Sequence, residues 1–328
     1  MDNFNIMSWN VRGLNKRNKQ IYVVDICKIN KIGIGALLET KIKGDRVKDV
    51  MNSSFMGWDY YSSRSLEGRI LLTWKASWVK VEVLNDHAQF IHCKVQKWAT
   101  GQSFCLSVVY GSNQLEIRRD LWSELSAVSL PVKPWLIIGD FNSVFDSADR
   151  MGGKTISPNE FEDARKWLDL GHVEEMKLLG SYYTWSNNQD GTNRIFSKLD
   201  RVIINEDWLD TFPNVNAIAN WEVVSDHCAI ILKHIFVQKI GLCPFRFFNM
   251  WTSHPKFKST VLASWNDSLA LEGYGLQQIS RKLHRLKFIL KRFNWRTVGD
   301  IVKNYEESKL MYQQAKSKLF TDPNIIRI

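Results

Sequence analysis

At six places in the sequence, an apolar run is followed at once by side chains that could bind a metal ion or transfer a proton. They supply amide, carboxylate, phenol and imidazole groups, and they are Ser8-Trp9-Asn10, Leu37-Leu38-Glu39-Thr40, Val109-Tyr110-Gly111-Ser112-Asn113, Gly139-Asp140-Phe141-Asn142, Lys198-Leu199-Asp200-Arg201 and Ser225-Asp226-His227. A single segment of this kind is most simply a turn, because Asp and Asn are common where strands end. Six of them in one chain predict a shared site at one edge of stacked sheets.

The chemistry that fits these groups is metal-assisted hydrolysis of a phosphate ester. Mg²⁺ prefers oxygen ligands and usually takes only one or two carboxylates, a role that Glu39 fits, with the amide of Asn10 beside it. Phosphoryl transfer gathers negative charge in the transition state, so the site also needs hydrogen-bond donors. We expect these donors to be Tyr110, Asn113, Asn142 and a protonated His227.

Asp140 is the predicted general base. Residues 135–138 form a continuous apolar run, which predicts a strand buried on both faces, and alternation then places Asp140 and Asn142 on the same side. The carboxylate could take a proton from water while the amide orients that water or its target. Asp200 is the best candidate for a buried partner that orients His227 and keeps it cationic.

The elements that must position these groups follow from the hydrophobic pattern. Alternating or apolar runs bounded by turn residues predict strands at 4–9, 32–38, 60–65, 69–74, 79–84, 90–95, 104–110 and 131–139. The spacing also predicts helices at 19–31, 115–128 and 158–168, and a long-looped hairpin across 182–186 and 194–205. Residues 221–225 and 228–236 are expected to close this body, and so many strands predict packed sheets.

The chain changes character near residue 240, where we expect a boundary between a body, residues 1–240, and a basic extension, residues 241–328. The formal net charge is +10, and the extension carries 15 Lys and Arg against 6 Asp and Glu, whereas the body carries 29 against 28. Apolar residues at helical spacing over 277–319 predict basic amphipathic helices. Two explanations stay open: a polyanionic partner, most simply nucleic acid, or a solvated helix face.

Composition argues against several classes of protein. No apolar run approaches the roughly 20 residues that span a bilayer, and the N-terminus lacks the pattern of a signal peptide, so no membrane partner is expected. The five cysteines include no Cys-x-x-Cys pair, which argues against a zinc site or a disulfide framework. We therefore expect an intracellular protein, nuclear or cytoplasmic, and no obligate protein partner is evident.

Taken together, the six segments resemble the endonuclease/exonuclease/phosphatase family, which includes apurinic/apyrimidinic endonucleases and deoxyribonuclease I. The matching residues keep the family's order and rough spacing over residues 4–236, and they are Asn10, Glu39, Tyr110, Asn113, Asp140, Asn142, Asp200, Asp226 and His227. The resemblance implies a four-layered α/β sandwich of two packed sheets flanked by helices, here with a C-terminal helical extension. It also implies that Glu39 binds Mg²⁺ or Mn²⁺ with Asn10 nearby and Asp226 as a further ligand. An Asp200–His227 pair would then stabilise the scissile phosphate.

Within that family, several stretches of the sequence are similar to the endonuclease domain of plant LINE-type non-LTR retrotransposons. The similar stretches are Trp9-Asn10-Val11-Arg12-Gly13-Leu14, Tyr183-Thr184-Trp185-Ser186-Asn187, Ser197-Lys198-Leu199-Asp200-Arg201 and Pro244-Phe245-Arg246-Phe247-Phe248-Asn249-Met250-Trp251. This likeness implies a DNA endonuclease that leaves a 3′-hydroxyl, which in a complete element primes reverse transcription. Arg12 stands where the repair endonucleases carry an acidic residue, which disfavours a second metal-binding carboxylate and abasic-site repair. The chain ends at Ile328 without a Tyr-x-Asp-Asp sequence, so we expect a fragment that lacks the reverse transcriptase.

DNA is the expected partner, with RNA as the alternative. The predicted phosphate contacts are Arg12, Lys41, Lys198 and Arg201, and each is as easily a plain surface charge. Trp185 is either a DNA contact near the hairpin loop or a packing residue. Two other functions stay open: a family phosphatase or 3′-exonuclease acting on inositol phosphates, sphingomyelin or poly(A), and a non-catalytic nucleic-acid-binding remnant. The fold alone does not separate these.

Overall fold

The computed structural model describes residues 4–65, 68–128, 133–189, 193–234, 245, 247–267 and 275–294. The chain divides into two compact units, Met1–Gln238 and Lys239–Ile328. All six polar segments lie in the first unit. Among the described residues, no helix combines the length and the apolar character that would be needed to cross a bilayer.

The first unit is a mixture of strands and helices. Its strands are β1 (Asn5–Asn10), β2 (Ile32–Leu38), β3 (Asp59–Ser62), β4 (Ile70–Trp74), β5 (Val79–His87), β6 (Phe90–Lys97), β7 (Ser103–Tyr110), β8 (Trp135–Asp140), β9 (Arg150–Met151), β10 (Val173–Glu175), β11 (Leu178–Gly180), β12 (Trp185–Ser186), β13 (Phe196–Ser197), β14 (Asp200–Asn205), β15 (Val215–Asn220) and β16 (Ala229–His234). Its α-helices are α1 (Arg17–Ile29), α2 (Arg46–Ser54), α3 (Leu115–Val128), α4 (Glu162–Leu170) and α5 (Glu206–Thr211).

The strands form two large sheets that pack face to face. The first sheet has the order β11-β15-β16-β1-β2-β4-β3, and the second has the order β10-β14-β8-β7-β6-β5. Ile34 and Leu72 of the first sheet share one buried cluster with Val108 and Ile138 of the second. A small third sheet has the order β12-β13-β9.

Helices cover the outer face of each large sheet. Val23 of α1 and Val50 of α2 are buried in one cluster with Leu37 of the first sheet. Leu121 of α3 and Trp167 of α4 lie in a separate cluster with residues of the second sheet. The order helix, sheet, sheet, helix confirms the predicted four-layered α/β sandwich.

The central strand β8 explains how the sequence specifies these layers. Leu136 and Ile138 face the first sheet, whereas Trp135 and Ile137 face the helices, because alternate side chains of a strand point to opposite faces. All six residues of β8 are buried. Burying each aliphatic side chain contributes roughly 1.5–3 kcal/mol, so this strand is held firmly in place. The predicted strand buried on both faces is confirmed.

The end of the first unit differs from the sequence prediction. Residues 221–225 do not form a strand. The strand that precedes β16 is instead β15, which pairs with it in antiparallel register. The buried positions of β15 are Ala217 and Ala219, and alanine is too weakly hydrophobic to reveal a strand by pattern.

Two further elements also differ from expectation. Residues 194–205 are not one strand, because β13 pairs with β12 in the small sheet whereas β14 enters the second large sheet between β8 and β10. The predicted helix at 158–168 begins with a 3₁₀ turn, Pro158–Glu160, and continues as α4. The proline therefore opens the segment, as its fixed φ favours.

Among the described residues of the second unit, the α-helices are α6 (Phe257–Asn266) and α7 (Leu276–Phe293), which follow a 3₁₀ segment, Asn249–Ser253. Its buried apolar cluster contains Trp251, Leu290 and Phe293. Helix α7 confirms the predicted helix as far as Phe293. Residues 295–319 of the predicted basic helical region lie outside the described residues.

Candidate active site

Three predicted site residues lie side by side at one edge of the second sheet. Asp140 ends β8, and it pairs with Tyr110 on the parallel neighbour β7 and with Asp200 on the antiparallel neighbour β14. Gly139 lies just before Asp140, with a φ of 153°, and a Cβ there would come 2.0 Å from the carbonyl oxygen of Val109. Only glycine allows the strands to approach this closely next to the carboxylate.

The first sheet contributes residues to the same place. Asn10 ends β1, and its Nδ2 donates a hydrogen bond of 2.9 Å to Oδ2 of Asp140, which joins the two sheets. The other carboxylate oxygen, Oδ1, accepts from the backbone N–H of Asn142 at 2.9 Å. The carboxylate of Asp140 is therefore oriented by donors on both sides.

The environment of Asp140 suits a base that works near neutral pH. The residue is completely buried, and burial raises the pKa of its carboxyl to about 6. His227 and the hydrogen bonds from Asn10 and Asn142 lower the pKa and so limit this rise. A carboxylate whose pKa is raised towards neutrality is a better proton acceptor than that of an ordinary Asp, which is what a general base requires.

His227 lies between two carboxylates. Its Nδ1 is 2.9 Å from Oδ2 of Asp200, and its Nε2 is 3.8 Å from Oδ2 of Asp140. Burial by itself lowers the pKa of the imidazole, but Asp200 and Asp140 outweigh it and raise the pKa to about 9. The ring is therefore protonated at neutral pH and can donate a hydrogen bond to a negatively charged group.

The spacing of Asp140, Asp200 and His227 would also suit a metal ion, since one ligand atom of each lies within 4.8 Å of the others. The existing contacts of these groups argue against that use. Nδ1 of His227 and Oδ2 of Asp200 already pair with each other at 2.9 Å, and Oδ2 of Asp140 already accepts a hydrogen bond from Asn10. The carboxylates of Glu39 and Asp226 are therefore the stronger candidates for metal ligands.

Glu39 and Asp226 are brought together by one side chain, Arg12. Its Nη1 is 3.3 Å from Oε2 of Glu39, and its Nε is 3.2 Å from Oδ1 of Asp226. Lys41 lies 3.2 Å from the remaining Glu39 oxygen, Oε1. Burial favours a raised pKa for the Glu39 carboxyl, but Arg12 and Lys41 outweigh it and hold that pKa below its ordinary value.

These residues fit a divalent ion such as Mg²⁺. Two carboxylates within reach of a single guanidinium offer the hard oxygen ligands that Mg²⁺ prefers. Their side chains are 10% and 15% exposed, so water could complete the coordination. The amide of Asn10 lies at the edge of this group, where its Oδ1 accepts from the backbone N–H of Arg12 at 3.1 Å.

The backbone around this group is strained. Arg12, Glu39, Lys41 and Asn142 all have a left-handed φ of 47–56°, which costs non-glycine residues roughly 1–3 kcal/mol each. Backbone hydrogen bonds hold these turns, among them Lys41 N–H to the carbonyl of Gly68 at 2.7 Å. Such strain is typical of functional sites, because the surrounding fold supplies the energy that maintains it.

The predicted donors differ in how they are placed. The hydroxyl of Tyr110 accepts a hydrogen bond of 3.2 Å from Arg69, and burial raises the pKa of this phenol, so it stays neutral. Nδ2 of Asn142 donates to the carbonyl of Gly111 at 2.8 Å. Asn113 lies exposed in the loop between β7 and α3, outside the hydrogen-bond network of the buried site residues described above.

Trp185 has a different place from the one expected for a DNA-stacking residue. Its Nε1 donates to Oδ2 of Asp226 at 3.1 Å, and its backbone forms a bridge with His227. The indole is half-buried. Trp185 therefore orients the candidate metal ligand Asp226.

The prediction that Lys198 and Arg201 contact phosphates is wrong. Arg201 is fully buried, and its guanidinium lies 2.5 Å from Asp149 and 2.8 Å from Glu175. The ammonium of Lys198, on a side chain only 9% exposed, lies 2.7 Å from Glu175. Both cations are used to neutralise buried carboxylates beneath the site, so neither is available to DNA.

Several residues that position the site were not found from the sequence. The hydroxyl of Ser225 donates to the carbonyl of Asn10 at 2.6 Å, and that of Thr184 accepts from the backbone N–H of Asp200 at 2.9 Å. The indole of Trp9 donates to the carbonyl of His227 at 3.1 Å. Ser225, Thr184 and Trp9 lie within the sequence segments named in the sequence analysis. Arg69 lies outside those segments, and no sequence pattern indicated its contact with Tyr110.

Comparison with known proteins adds to this geometry. The chain is similar to the endonuclease domain of TRAS1, a telomere-specific non-LTR retrotransposon, with a TM-score of 0.53 and 16% identity over 72% of this chain and 100% of that chain. It is also similar to an AP endonuclease from Archaeoglobus fulgidus, with a TM-score of 0.53 and 15% identity over 70% and 99% of the two chains. For the AP endonuclease LMAP from Leishmania major the values are 0.52 and 14% over 71% and 88%. At these identities the likeness is one of fold.

The sequence itself carries the family assignment. A search of curated proteins finds no significant match. A sequence model of the Endonuclease/Exonuclease/phosphatase family, however, matches residues 7–227, which is more than half of the chain and contains every site residue described above. Members of that family are hydrolases that act on phosphoesters. The chain therefore belongs to the endonuclease/exonuclease/phosphatase family.

Proposed function

We propose that this protein is a divalent-metal-dependent DNA endonuclease of retrotransposon origin. The observation that carries the proposal is the arrangement around Asp140. Its fully buried carboxylate lies 3.8 Å from Nε2 of His227, next to the carboxylates of Glu39 and Asp226, which Arg12 bridges. A base, a cationic donor and a set of oxygen ligands are the three components that phosphodiester hydrolysis needs.

The proposed reaction assigns one role to each group. Asp140 takes a proton from a water molecule, whose oxygen forms a new bond to phosphorus while Asn142 helps to orient it. The bond from phosphorus to the 3′-oxygen breaks, which leaves a 3′-hydroxyl and a 5′-phosphate. The leaving oxygen takes up a proton from solvent.

Negative charge that develops on the phosphate is met by donors that are already in place. His227, held in one orientation by Asp200, donates from Nε2, and the neutral hydroxyl of Tyr110 is a second donor. A divalent ion held by Glu39, Asp226 and Asn10 would add Lewis-acid stabilisation of the same charge. Preorganised donors of this kind are worth roughly 10²–10³ in rate each.

DNA is the substrate that the charge distribution favours. The basic extension carries most of the net positive charge, and phosphate binding by Lys and Arg is the main source of affinity for a polyanion. The sequence stretches that are similar to plant LINE-type endonucleases favour the same substrate. A family phosphatase or 3′-exonuclease and a non-catalytic remnant remain the alternatives; the presence of every predicted catalytic side chain supports an active enzyme over a remnant.

A nicking assay tests the proposal. Full-length protein is incubated with supercoiled plasmid in Mg²⁺, in Mn²⁺ and in EDTA, and the relaxed product is quantified. We expect metal-dependent nicking, with DNA polymerase able to extend the nicks because the 3′-ends are hydroxyls. A linear oligonucleotide trimmed only from its 3′-end, or inositol phosphate hydrolysed in place of plasmid, would favour the alternative enzymes. No product from any substrate, with DNA still bound, would favour the remnant.

A further inference from the structure

The guanidinium of Arg12 bridges the two carboxylates assigned to the metal. Its Nη1 lies 3.3 Å from Glu39 and its Nε lies 3.2 Å from Asp226, so the two ends of one side chain serve two acids. Lys41 contacts the other oxygen of Glu39 at 3.2 Å. Two carboxylates are thus matched by two cations that belong to the chain itself.

The carboxylates in these contacts are less exposed to water than those of ordinary surface ion pairs. The side chains of Glu39 and Asp226 are only 10% and 15% exposed, so each carboxylate has lost most of its water and would be costly to leave unpaired. The backbone of Arg12 is held in a left-handed conformation, with a φ of 47°, and its N–H donates to Oδ1 of Asn10. Yet the Arg12 side chain is 47% exposed, so it has room to move outwards.

We propose that Arg12 is a built-in counter-cation of this carboxylate pair, which a divalent ion must displace in order to bind Glu39 and Asp226 together. The inference rests on the proposed function in so far as the ion uses these two acids. The physical reason is competition: a guanidinium and a divalent cation repel each other and require the same oxygen lone pairs. Metal binding is therefore weaker than the two acids alone would support.

The displaced guanidinium has a suitable acceptor in a substrate phosphate. Arginine binds phosphate through two parallel hydrogen bonds, and it gains more from that geometry than lysine does. A phosphate that holds Arg12 away from the acids removes the competitor of the metal. Metal and DNA should therefore strengthen each other's binding, and by thermodynamic linkage by the same factor.

The test compares Arg12→Met with wild type and with a matched control, Arg46→Met, which removes an exposed arginine at the start of α2. Free Mn²⁺ is titrated by electron paramagnetic resonance, and thermal melting is recorded with and without Mg²⁺. We expect Arg12→Met to bind Mn²⁺ about tenfold more tightly than wild type, within the usual range of coupling. The same variant should melt earlier without metal and gain more from Mg²⁺, because its acids have lost their counter-cation. Arg46→Met should match wild type in both measurements.

The outcomes separate this inference from the proposed function. Equal or weaker Mn²⁺ binding by folded Arg12→Met would overturn the role of Arg12, while metal-dependent nicking by wild type would still stand. Wild-type protein that binds no Mn²⁺ would remove the basis of both.

A measurement on the wild-type protein avoids dependence on the folding of one variant. Protein labelled with ¹⁵N-arginine is observed by NMR, and the Nε signal missing from Arg12→Lys identifies Arg12. Mg²⁺ should shift this signal, and a short DNA duplex should then tighten Mn²⁺ binding. An Arg12 signal that does not change at saturating Mg²⁺ would contradict displacement.

Discussion

Nδ1 of His227 lies 2.9 Å from Oδ2 of Asp200, and both side chains are buried. Burial lowers the pKa of the imidazole, but Asp200 and then Asp140 raise it, with a final value of about 9. The pair therefore supplies a fixed donor that stays positively charged at neutral pH. The carboxylate of Asp200 acts through the imidazole, so its substitution should change the charge of His227 as well as the reaction rate.

Asp200→Asn should reduce cleavage by roughly 10²–10³-fold, the range for loss of a charged transition-state donor. The amide keeps a hydrogen-bonding group beside the ring but removes the charge that most favours the imidazolium. NMR of the His227 ring should show a lower pKa than in wild type. A ring that stays protonated as before, in a variant that has lost activity, would mean that Asp200 has another role.

Glu39→Gln should abolish Mg²⁺-supported nicking, because an amide is a much weaker metal ligand than a carboxylate. The variant should remain folded, since glutamine fills the same volume and its amide oxygen can still accept from either Arg12 or Lys41, which contact different oxygens of Glu39. Nicking rates across a Mg²⁺ titration, with circular dichroism as the folding control, check this expectation. Nicking at the wild-type rate would place the metal elsewhere.

Arg201→Met should destabilise the protein without a specific effect on DNA binding. Removing the guanidinium takes the cation from the buried Asp149 and leaves Glu175 with Lys198 alone, and breaking such a buried pair typically costs about 3–5 kcal/mol. Urea unfolding measures this loss, and a DNA-binding curve is corrected for the folded fraction. Arg64→Met, at an exposed position, should lie within about 0.5 kcal/mol of wild type. Weaker DNA binding with unchanged stability would instead support the prediction that Arg201 contacts phosphate.

The central strand and the polar strand ends could be predicted because their signals are local. The apolar run that is followed at once by Asp140 predicts both where β8 ends and which polar residue lies at its end. Sheet packing then brings six such ends together, and the hydrogen bond between Asn10 and Asp140 is one result. The repeated pattern of an apolar run followed by polar residues was enough to predict that these strand ends lie at a shared site.

Partners that are distant in sequence could not be predicted in this way. Arg201 is buried because Asp149 and Glu175, 52 and 26 positions earlier, meet it in space. A charged residue in a motif of basic and acidic side chains gives no indication of such burial. Trp185 likewise could not be assigned from the sequence to a DNA contact or to packing, because its hydrogen-bond partner Asp226 lies 41 positions later.

His92 should make the protein less stable in mild acid. It is buried against Ser107, and burial lowers the pKa of its imidazole to about 4. The unfolded chain, with an ordinary histidine pKa of 6.5, takes up the proton first. Stability is therefore lost as the pH falls from about 6.5 to about 4, by an amount on the order of 3 kcal/mol.

The check for His92 is a comparison of unfolding free energies between pH 7 and pH 4. His92→Asn does not titrate in this range and can still bond to Ser107, so the difference between variant and wild type should move in favour of the variant as the pH falls. His227 has a raised pKa of about 9, so its contribution is complete below pH 6.5 and does not mask this change. A difference that is independent of pH would show that His92 is accessible to protons in the folded state.

Asp140→Asn tests the residue around which the site is built. The substitution is nearly isosteric, and its amide oxygen can still accept from either Asn10 or the backbone N–H of Asn142, which bond to different oxygens of Asp140, but it cannot take a proton from water at neutral pH. If Asp140 only caps the end of β8, activity should survive. If it activates the nucleophile, the single-turnover rate should fall by about 10²–10⁴-fold. Affinity for uncut DNA should hold or increase slightly, because a negative charge near the phosphate has been removed. Cleavage rate and binding curve are measured on the same well-folded preparation, and near-normal cleavage would remove Asp140 from the role of general base.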